Sequence, residues 1–196
     1  MTEGAEGQLT NSEVVQIKNK IVSGSSEAAL VLVVDTVSFF KEDLEAIRER
    51  RDFLFEQFRN QLNSVAALGG ICYLSALLGD TRFCDFWLRS IEEQGKGYYS
   101  CLVGTVFESK GMRTEAEFFH DRAARLGYIP SLVYKKRQKL ERFGIFGRMA
   151  FYIYRYGQGV RAAILAVFDP NDPRVPTELL ALPSISSVKS SLLNNV

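Results

Sequence analysis

The sequence contains few of the residues that most often carry chemistry in proteins, with one histidine and three cysteines among 196 residues. Cys72, Cys84 and Cys101 are too widely spaced for a CxxC redox pair or a zinc knuckle. Each cysteine lies among apolar residues at helical spacing, so we interpret all three as buried thiols in a reducing compartment. Because one histidine and scattered cysteines do not make a metal ligand set, we expect no metal and no other cofactor.

Signals of catalysis are also scarce. A cysteine–histidine mechanism would need His120 as its base, yet this residue lies within FFHDRAA on a predicted helix, where a packing role is commoner. We therefore predict no catalytic residue and expect that the protein is not an enzyme. The segments GIFGR (144–148) and GQGVRA (157–162) lack the lysine of a Walker loop and a preceding strand. We interpret both segments as turns.

The sequence has no long apolar run. The longest weakly polar stretch, residues 66–79 (AALGGICYLSALLG), is shorter than the ~20 residues that a membrane-spanning helix needs, so it predicts a buried core helix. The N-terminal segment MTEGAEGQLTNSE is acidic and polar, unlike a secretory signal. From these observations we expect a cytoplasmic protein without a membrane partner.

Positive charge is concentrated in one segment, although the net charge of the whole chain is only +1. Residues 122–161 hold ten basic residues and one acid, Glu141, which gives this segment a net charge of +9. The rest of the chain has a net charge of −8. Such a segment favours a partner with an acidic surface.

Aromatic side chains alternate with cations in residues 134–161, and such mixtures can bind single-stranded nucleic acid by stacking and phosphate attraction. The competing interpretation is that Phe151, Tyr152 and Tyr156, which recur at helical spacing, form a core beside a solvated basic face. We favour the core interpretation and keep nucleic-acid binding as the alternative function.

The N-terminal part of the chain has clear helical signals. Residues 1–9 have few apolar side chains and are predicted to be a mobile tail. Residues 10–65 are predicted to form N-terminal helices. Thr10 and Glu13 have the spacing of a capping box, which marks the start of the first helix. The run EAALVLVVDTVSFF (27–40) is predicted to be helical despite its β-branched residues. In the charged helix that follows, the apolar stripe is formed by Leu44, Ile47, Leu54 and Phe58.

From residue 66 onward the sequence repeats itself with a period of 32 residues. Glycine after an apolar helix is typical of a left-handed C-cap, so the repeat predicts helix, turn, helix, turn. The matching positions are Gly79 and Gly111, Gly95 and Gly127, Cys84 and Ala116, Phe86 and Phe118, Trp87 and Phe119, and Ile91 and Ala123.

A third copy is predicted from Pro130, with Gly144 in the place of Gly111. In this copy Phe151 and Tyr152 take the places of Phe118 and Phe119. The repeat region then covers residues 66–168 and continues from residues 10–65 as one domain. Residues 169–196 are rich in proline and form a C-terminal tail.

Residues 97–130 resemble the tetratricopeptide family and its relatives, the Sel-like repeats. The matching positions are Val103, Gly104 and Phe107 on the first helix, Gly111 in the turn, and Ala116 and Ala123 on the second helix. Including its less regular copies, the resemblance covers about half the chain. It implies an α-solenoid that serves as a binding scaffold.

We therefore predict an all-α fold in which antiparallel helix-turn-helix repeats form a short α-solenoid with an N-terminal helical extension. The expected function is a non-catalytic scaffold or adaptor for a protein partner, one version being a bacterial immunity or effector-binding protein. Whether the chain forms homo-oligomers is left open. Because first helices line the concave face of a solenoid, the predicted partner-binding residues are Tyr73, Tyr98, Thr105, Glu108, Tyr134, Lys135, Gln138 and Arg142.

Overall fold

The computed structural model describes residues 8–61, 64–92, 97–169 and 172–175. Within these ranges there are nine helices and no strand, which confirms the predicted all-α fold. The helices are α1 (Asn11–Val22), α2 (Ser26–Phe39), α3 (Leu44–Phe58), α4 (Val65–Leu77), α5 (Thr81–Glu92), α6 (Gly97–Ser109), α7 (Arg113–Arg125), α8 (Ile129–Glu141) and α9 (Gly144–Phe168). Helices α1 to α5 belong to one compact unit and α6 to α9 to a second. In the described ranges, no helix combines the length and the apolar character needed to cross a membrane.

Polar side chains determine where the N-terminal helices begin. Thr10 and Glu13 form the predicted capping box of α1, with the Thr10 amide donating to Glu13 Oε2 over 2.8 Å. Asp43 accepts amide hydrogen bonds from Glu45 and Ala46 at the start of α3. Helix α2 confirms the helix predicted for EAALVLVVDTVSFF, and a short turn separates it from α3.

Glycines with positive φ follow the repeat helices, as their spacing predicts. Gly79, Gly111 and Gly127 have φ of +80°, +75° and +78° after α4, α6 and α7. Residues with a side chain rarely adopt this backbone conformation, so the turns depend on glycine. Gly95, the remaining glycine of the pattern, lies outside the described residues.

Positions 32 residues apart have similar surroundings, and neighbouring helices pack in a repeat-like arrangement. Cys84 and Ala116 are both fully buried, and so are Ile91 and Ala123. Cys84 Sγ also donates to the carbonyl oxygen of Cys72 over 3.3 Å, which joins α5 to α4. The period in the sequence therefore corresponds to a period in side-chain burial.

Helices α8 and α9 form a pair in the third predicted copy, but the second helix departs from its expected positions. Helix α9 begins at Gly144 itself, whereas α7 begins two residues after Gly111. Tyr152 is consequently 66% exposed, while its predicted counterpart Phe119 is fully buried. The predicted equivalence of these two aromatic residues is therefore wrong.

Residues 145–148 and 157–162 lie inside α9, so the prediction of turns at these positions is wrong. Gly144, at which α9 begins, does have a positive φ of +59°, like the other repeat glycines. Glycine in a helix interior costs only about 1 kcal/mol relative to alanine. Because adding residues to an existing helix is easier than starting one, isolated costs of this size do not end it. The result is one helix of 25 residues, longer than any other helix of the described chain.

In the first unit, a buried ion pair connects α2 to α3. Asp35 is fully buried, and its Oδ2 lies 2.5 Å from Arg50 Nη1. Its other oxygen, Oδ1, accepts a hydrogen bond from the Leu9 amide over 3.0 Å. Arg50 also donates to Thr36 Oγ1 over 3.1 Å and lies 4.3 Å from the centre of the Phe40 ring. Two helices and the segment that precedes α1 thus share one polar centre.

Two details of the N-terminal part differ from expectation. Residues 1–7 of the predicted mobile tail lie outside the described residues, but Leu9, at its end, is buried. Leu44, predicted to belong to the apolar stripe of α3, is 51% exposed because it is the first residue of the helix. The other three stripe residues, Ile47, Leu54 and Phe58, are fully buried as predicted.

The structure describes residue 169 and residues 172–175 of the predicted C-terminal tail. Asp172 is buried, and its Oδ2 lies 2.5 Å from Arg174 Nη2. The carbonyl oxygen of Arg174 accepts a hydrogen bond from the Ile129 amide over 3.1 Å. This short part of the tail therefore docks at the start of α8.

Replacing Asp35 by alanine should lower the free energy of unfolding by about 3 kcal/mol, because Arg50 would keep a largely buried charge without its partner. Urea denaturation followed by circular dichroism measures this loss. The control is Asp35→Leu combined with Arg50→Leu, which should lose less because no unpaired charge remains. Equal losses in both proteins would show that the unpaired charge of Arg50 is not what destabilises the Asp35→Ala variant.

Candidate functional site

A groove of about 1050 Å³ runs between α8 and α9 in the second unit. Its wall includes the apolar side chains of Ile129, Val133 and Leu140 from α8 and Phe151 from α9. Pro130 lies in the first turn of α8, where a missing amide hydrogen is tolerated. Helix pairs that leave such an apolar groove open offer a place for a further helix or peptide.

The groove depends on a close approach of the two helices at Gly147. Among the 25 residues of α9, all of which the structure describes, only Gly147 is buried. A Cβ atom at this position would overlap the carbonyl oxygen of Leu140 in α8 and would lie 3.1 Å from Phe143 Cβ. Glycine is therefore required for α9 to start so close to the end of α8.

Arginine side chains line the groove beside its apolar wall. They are Arg137 from α8 and Arg148 and Arg155 from α9. Glu141 is the one carboxylate among the described residues of the lining, and its Oε1 lies 2.9 Å from Arg137 Nε. Arg148 and Arg155 are exposed and form no ion pair within the described ranges. The α9 side of the groove therefore has unbalanced positive charge, which favours an acidic ligand.

A smaller hollow of about 310 Å³ lies on another side of α8 and is also basic. Lys135 and Lys136 line it. Lys135 Nζ lies 2.7 Å from Asp121 Oδ1, and Lys136 Nζ lies 5.5 Å from the centre of the Tyr154 ring. Helix α8 thus presents cations on both sides.

The side of α9 that faces away from α8 is apolar and exposed. We name it the outer face, and its residues are Ile145, Met149, Tyr152, Ile153, Tyr156, Val160, Ala163 and Val167. Tyr152 and Tyr156 are 66% and 77% exposed. The interpretation of Phe151, Tyr152 and Tyr156 as an aromatic core is therefore wrong for the two tyrosines, and Phe151 is only half-buried.

His120 of α7 is buried between α6 and α8. Its Nδ1 and Ser131 Oγ share a hydrogen bond of 3.3 Å, and its ring stacks on Tyr134 with centroids 3.8 Å apart. Gly104 of α6 leaves room for the ring, since a Cβ there would lie 3.0 Å from His120 Cδ2. Burial lowers the pKa of His120 to about 4, and the charge of Asp121 opposes this only in part. The imidazole is therefore neutral at pH 7, and His120 packs in the interior of the second unit.

Cys101 lies near this cluster but is not arranged as a nucleophile. Its thiol hydrogen-bonds with Ser131 and Thr105, and burial raises its pKa. A nucleophilic cysteine needs the opposite shift, toward the thiolate. Unlike Cys72 and Cys84, which are buried as predicted, Cys101 is only half-buried.

The predicted partner-binding residues are divided between the two units. Tyr73 lies half-buried on α4 in the first unit. In the second unit, Tyr98 is half-buried on α6, and its ring centre is 5.0 Å from that of Tyr99. Thr105 is exposed, and its hydroxyl donates to the carbonyl oxygen of Cys101 over 3.1 Å.

Of the other five predicted residues, Tyr134 alone is among the lining residues of the groove. Tyr134 hydrogen-bonds with Gln138 and has its pKa raised by burial and then by the charge of Glu108. The structure thus brings Tyr134, Gln138 and Glu108 together. Lys135 lines the smaller hollow, and Arg142 is exposed at the C-cap of α8.

Sequence reasoning missed Arg148 and Arg155 as lining residues and did not predict the outer face. A signal was present, because residues 142–168 contain no aspartate or glutamate, and apolar residues recur there every three or four positions. Prolines then follow in place of another helical pattern.

Replacing Gly147 by alanine should lower the free energy of unfolding by about 1–3 kcal/mol, because the new methyl group forces α8 and α9 apart. Gly157 and Gly159 are matched controls in the same helix, since a Cβ atom at either position would meet no neighbour. Alanine there should raise the free energy by about 0.5–1 kcal/mol. Thermal denaturation followed by circular dichroism distinguishes the three variants, and a neutral Gly147→Ala change would contradict the close approach.

Lowering the pH from about 6.5 to about 4 should destabilise the protein, because the unfolded chain binds a proton on His120 that the folded chain excludes. The contribution of His120 is about 1–3 kcal/mol and is fully lost below pH 4. His120→Leu should remove this part of the pH dependence, since Leu88 is the buried counterpart 32 residues earlier. Melting temperatures that fall equally in both proteins would contradict this assignment.

Comparisons of this chain with family models, with curated proteins and with solved structures find no match. The resemblance to tetratricopeptide and Sel-like repeats therefore stays a prediction. Function has to be argued from the groove, the cations and the exposed apolar residues of the second unit.

Proposed function

We propose that this chain is a non-catalytic interaction module that binds a protein partner with an acidic surface through the α8–α9 groove. One observation carries this proposal. The groove combines an apolar wall with the exposed cations Arg148 and Arg155, and Glu141 is its one described carboxylate.

The shape of the groove supports a peptide or helix as the ligand. Amphipathic helices bind in apolar grooves through side chains spaced three and four residues apart. The distance along α8 from Ile129 to Leu140 is about 16 Å at the usual rise per residue, which accommodates about three turns of such a helix. Carboxylates on its flanks would meet Arg137, Arg148 and Arg155.

The sequence resemblance supports the same class of function. Tetratricopeptide and Sel-like repeats imply a scaffold, and we propose a cytoplasmic adaptor, for example a bacterial immunity or effector-binding protein. Of the predicted partner-binding residues, Tyr134 lines the groove. Gln138 hydrogen-bonds with Tyr134, and the charge of Glu108 acts on it. Tyrosine is well suited to an interface because it offers a large, stiff contact area with a polar end.

Nucleic-acid binding is a second candidate, which the exposed tyrosines of α9 favour. Tyr152 and Tyr156 are available for base stacking, and Arg148 and Arg155 lie on the same helix. Such binding would weaken steeply as salt increases. The groove makes the protein partner the stronger proposal.

Reversal of the charges on α8 should weaken partner binding. The variant carries Lys135→Glu, Lys136→Glu and Arg137→Glu, and the control carries Lys41→Glu, Arg48→Glu and Arg82→Glu, which are exposed in the first unit. The tagged wild type and both variants are used for affinity capture from nuclease-treated native lysate, followed by mass spectrometry. Wild type and control should retain one stoichiometric acidic protein, and the α8 variant should retain at least about tenfold less, which corresponds to 1.4 kcal/mol.

Each other outcome counts against the proposal. Equal retention by the α8 variant would remove the cations of α8 from the interface. Proteins captured from untreated lysate but lost after nuclease treatment would favour the nucleic-acid alternative. An electrophoretic shift of single-stranded RNA or DNA at low salt would support the same conclusion.

A further inference from the structure

The outer face of α9 is a continuous apolar surface without a charged residue. Its members, from Ile145 to Val167, recur every three or four residues and so lie along one side of the helix. They cover a length of about 33 Å at the usual helical rise. Surfaces of this kind are rare on monomeric soluble proteins and usually mark a place of contact.

Helix α9 packs against α8 with its opposite side. Gly147 is buried there, and Phe151 and Tyr154 are half-buried. Apart from Tyr152, which also lines the groove, the outer face is therefore distinct from the contact with α8.

Arginines flank the outer face. Arg148 and Arg155, seven residues apart, lie along one flank, whereas Arg161 follows Tyr154 by seven residues and so lies on the side nearer α8. Helix α9 itself contains no carboxylate. The carboxylates that face these arginines from other segments are Glu141, which lines the groove with Arg148 and Arg155, and Asp172, whose charge acts on Arg161.

We propose that α9 lies in the plane of an anionic lipid surface, with its outer face at the boundary between headgroups and acyl chains. Interfacial helices combine one apolar side with basic residues and are often 20–30 residues long. Arg148 and Arg155 would reach the lipid phosphates, while Tyr152 and Tyr156 have the apolar body and polar end that suit this depth. A helix held in this way does not cross the bilayer, which agrees with the absence of a spanning helix among the described residues.

Charge complementarity decides between lipid and a second copy of this chain. Two copies that pair through the outer face would bring together two segments with a net charge of +9 each. No carboxylate on α9 could offset this repulsion. Anionic lipid supplies the opposite charge, and each cation near such a surface adds about fivefold in affinity.

Co-sedimentation with vesicles tests the proposal on the full chain. Vesicles of phosphatidylcholine mixed with phosphatidylglycerol should bind the protein, and those of phosphatidylcholine alone should bind it far less. The variant with Ile153→Ser, Tyr156→Ser and Val160→Ser should bind at least about tenfold less to the mixed vesicles. Arg148→Gln with Arg155→Gln should bind about 25-fold less to them, and added salt should weaken binding of the wild type.

The matched control carries Val15→Ser, Val22→Ser and Phe86→Ser, which remove exposed apolar side chains from the first unit. Its vesicle binding should equal that of the wild type. Absence of binding to the mixed vesicles, or equal binding by the outer-face variant, would overturn the proposal. Sedimentation equilibrium without lipid is a second test. A wild-type dimer that the outer-face substitutions dissociate would also contradict the proposal. Ile153, Tyr156 and Val160 are not part of the groove lining, so loss of vesicle binding in the outer-face variant is separate from the test of the protein partner.

Discussion

A pair of antiparallel helices covers only part of its own apolar surface, and a repeat array is stable because the next helix covers the remainder. In the second unit this condition is met for α7. The ring of Phe119 stacks on Phe107 of α6 at 5.4 Å, and His120 is enclosed by Ser131 and Tyr134 of α8. Helix α9 has no later helix to cover it in the described part of the chain. The need for a covering helix thus explains both the packed interior of the second unit and the exposed surfaces of α9.

Local features of the fold could be predicted from the sequence because each depends on neighbouring residues. The turns at Gly79 and Gly111 need only a glycine after an apolar helix, and the capping box needs only Thr10 and Glu13. The outward position of Tyr152 could not be predicted in this way. Helical spacing shows that a residue lies on an apolar face, but burial requires another element to cover that face.

Long-range partners account for the other misses. Asp35 and Arg50 lie on different helices, and no pattern within either helix indicates that the two charges meet in a buried place. The requirement for glycine at position 147 could not be predicted either, because it comes from the carbonyl oxygen of Leu140 in the neighbouring helix α8. The candidate site was therefore found only in part. Tyr134 was predicted as a binding residue, but the groove could not be predicted, because it depends on how α8 and α9 are placed relative to each other.

The two glycines in the second half of α9 connect surface contact to helix formation. Gly157 and Gly159 have no neighbours that would exclude a side chain, and each weakens the helix by about 1 kcal/mol relative to alanine. Helix α9 has 25 residues against 13 in α8, so its second half receives less support from its partner helix. Any surface that binds only the helical form stabilises that form by mass action. A surface that covers the outer face would therefore also stabilise the second half of α9 against unwinding.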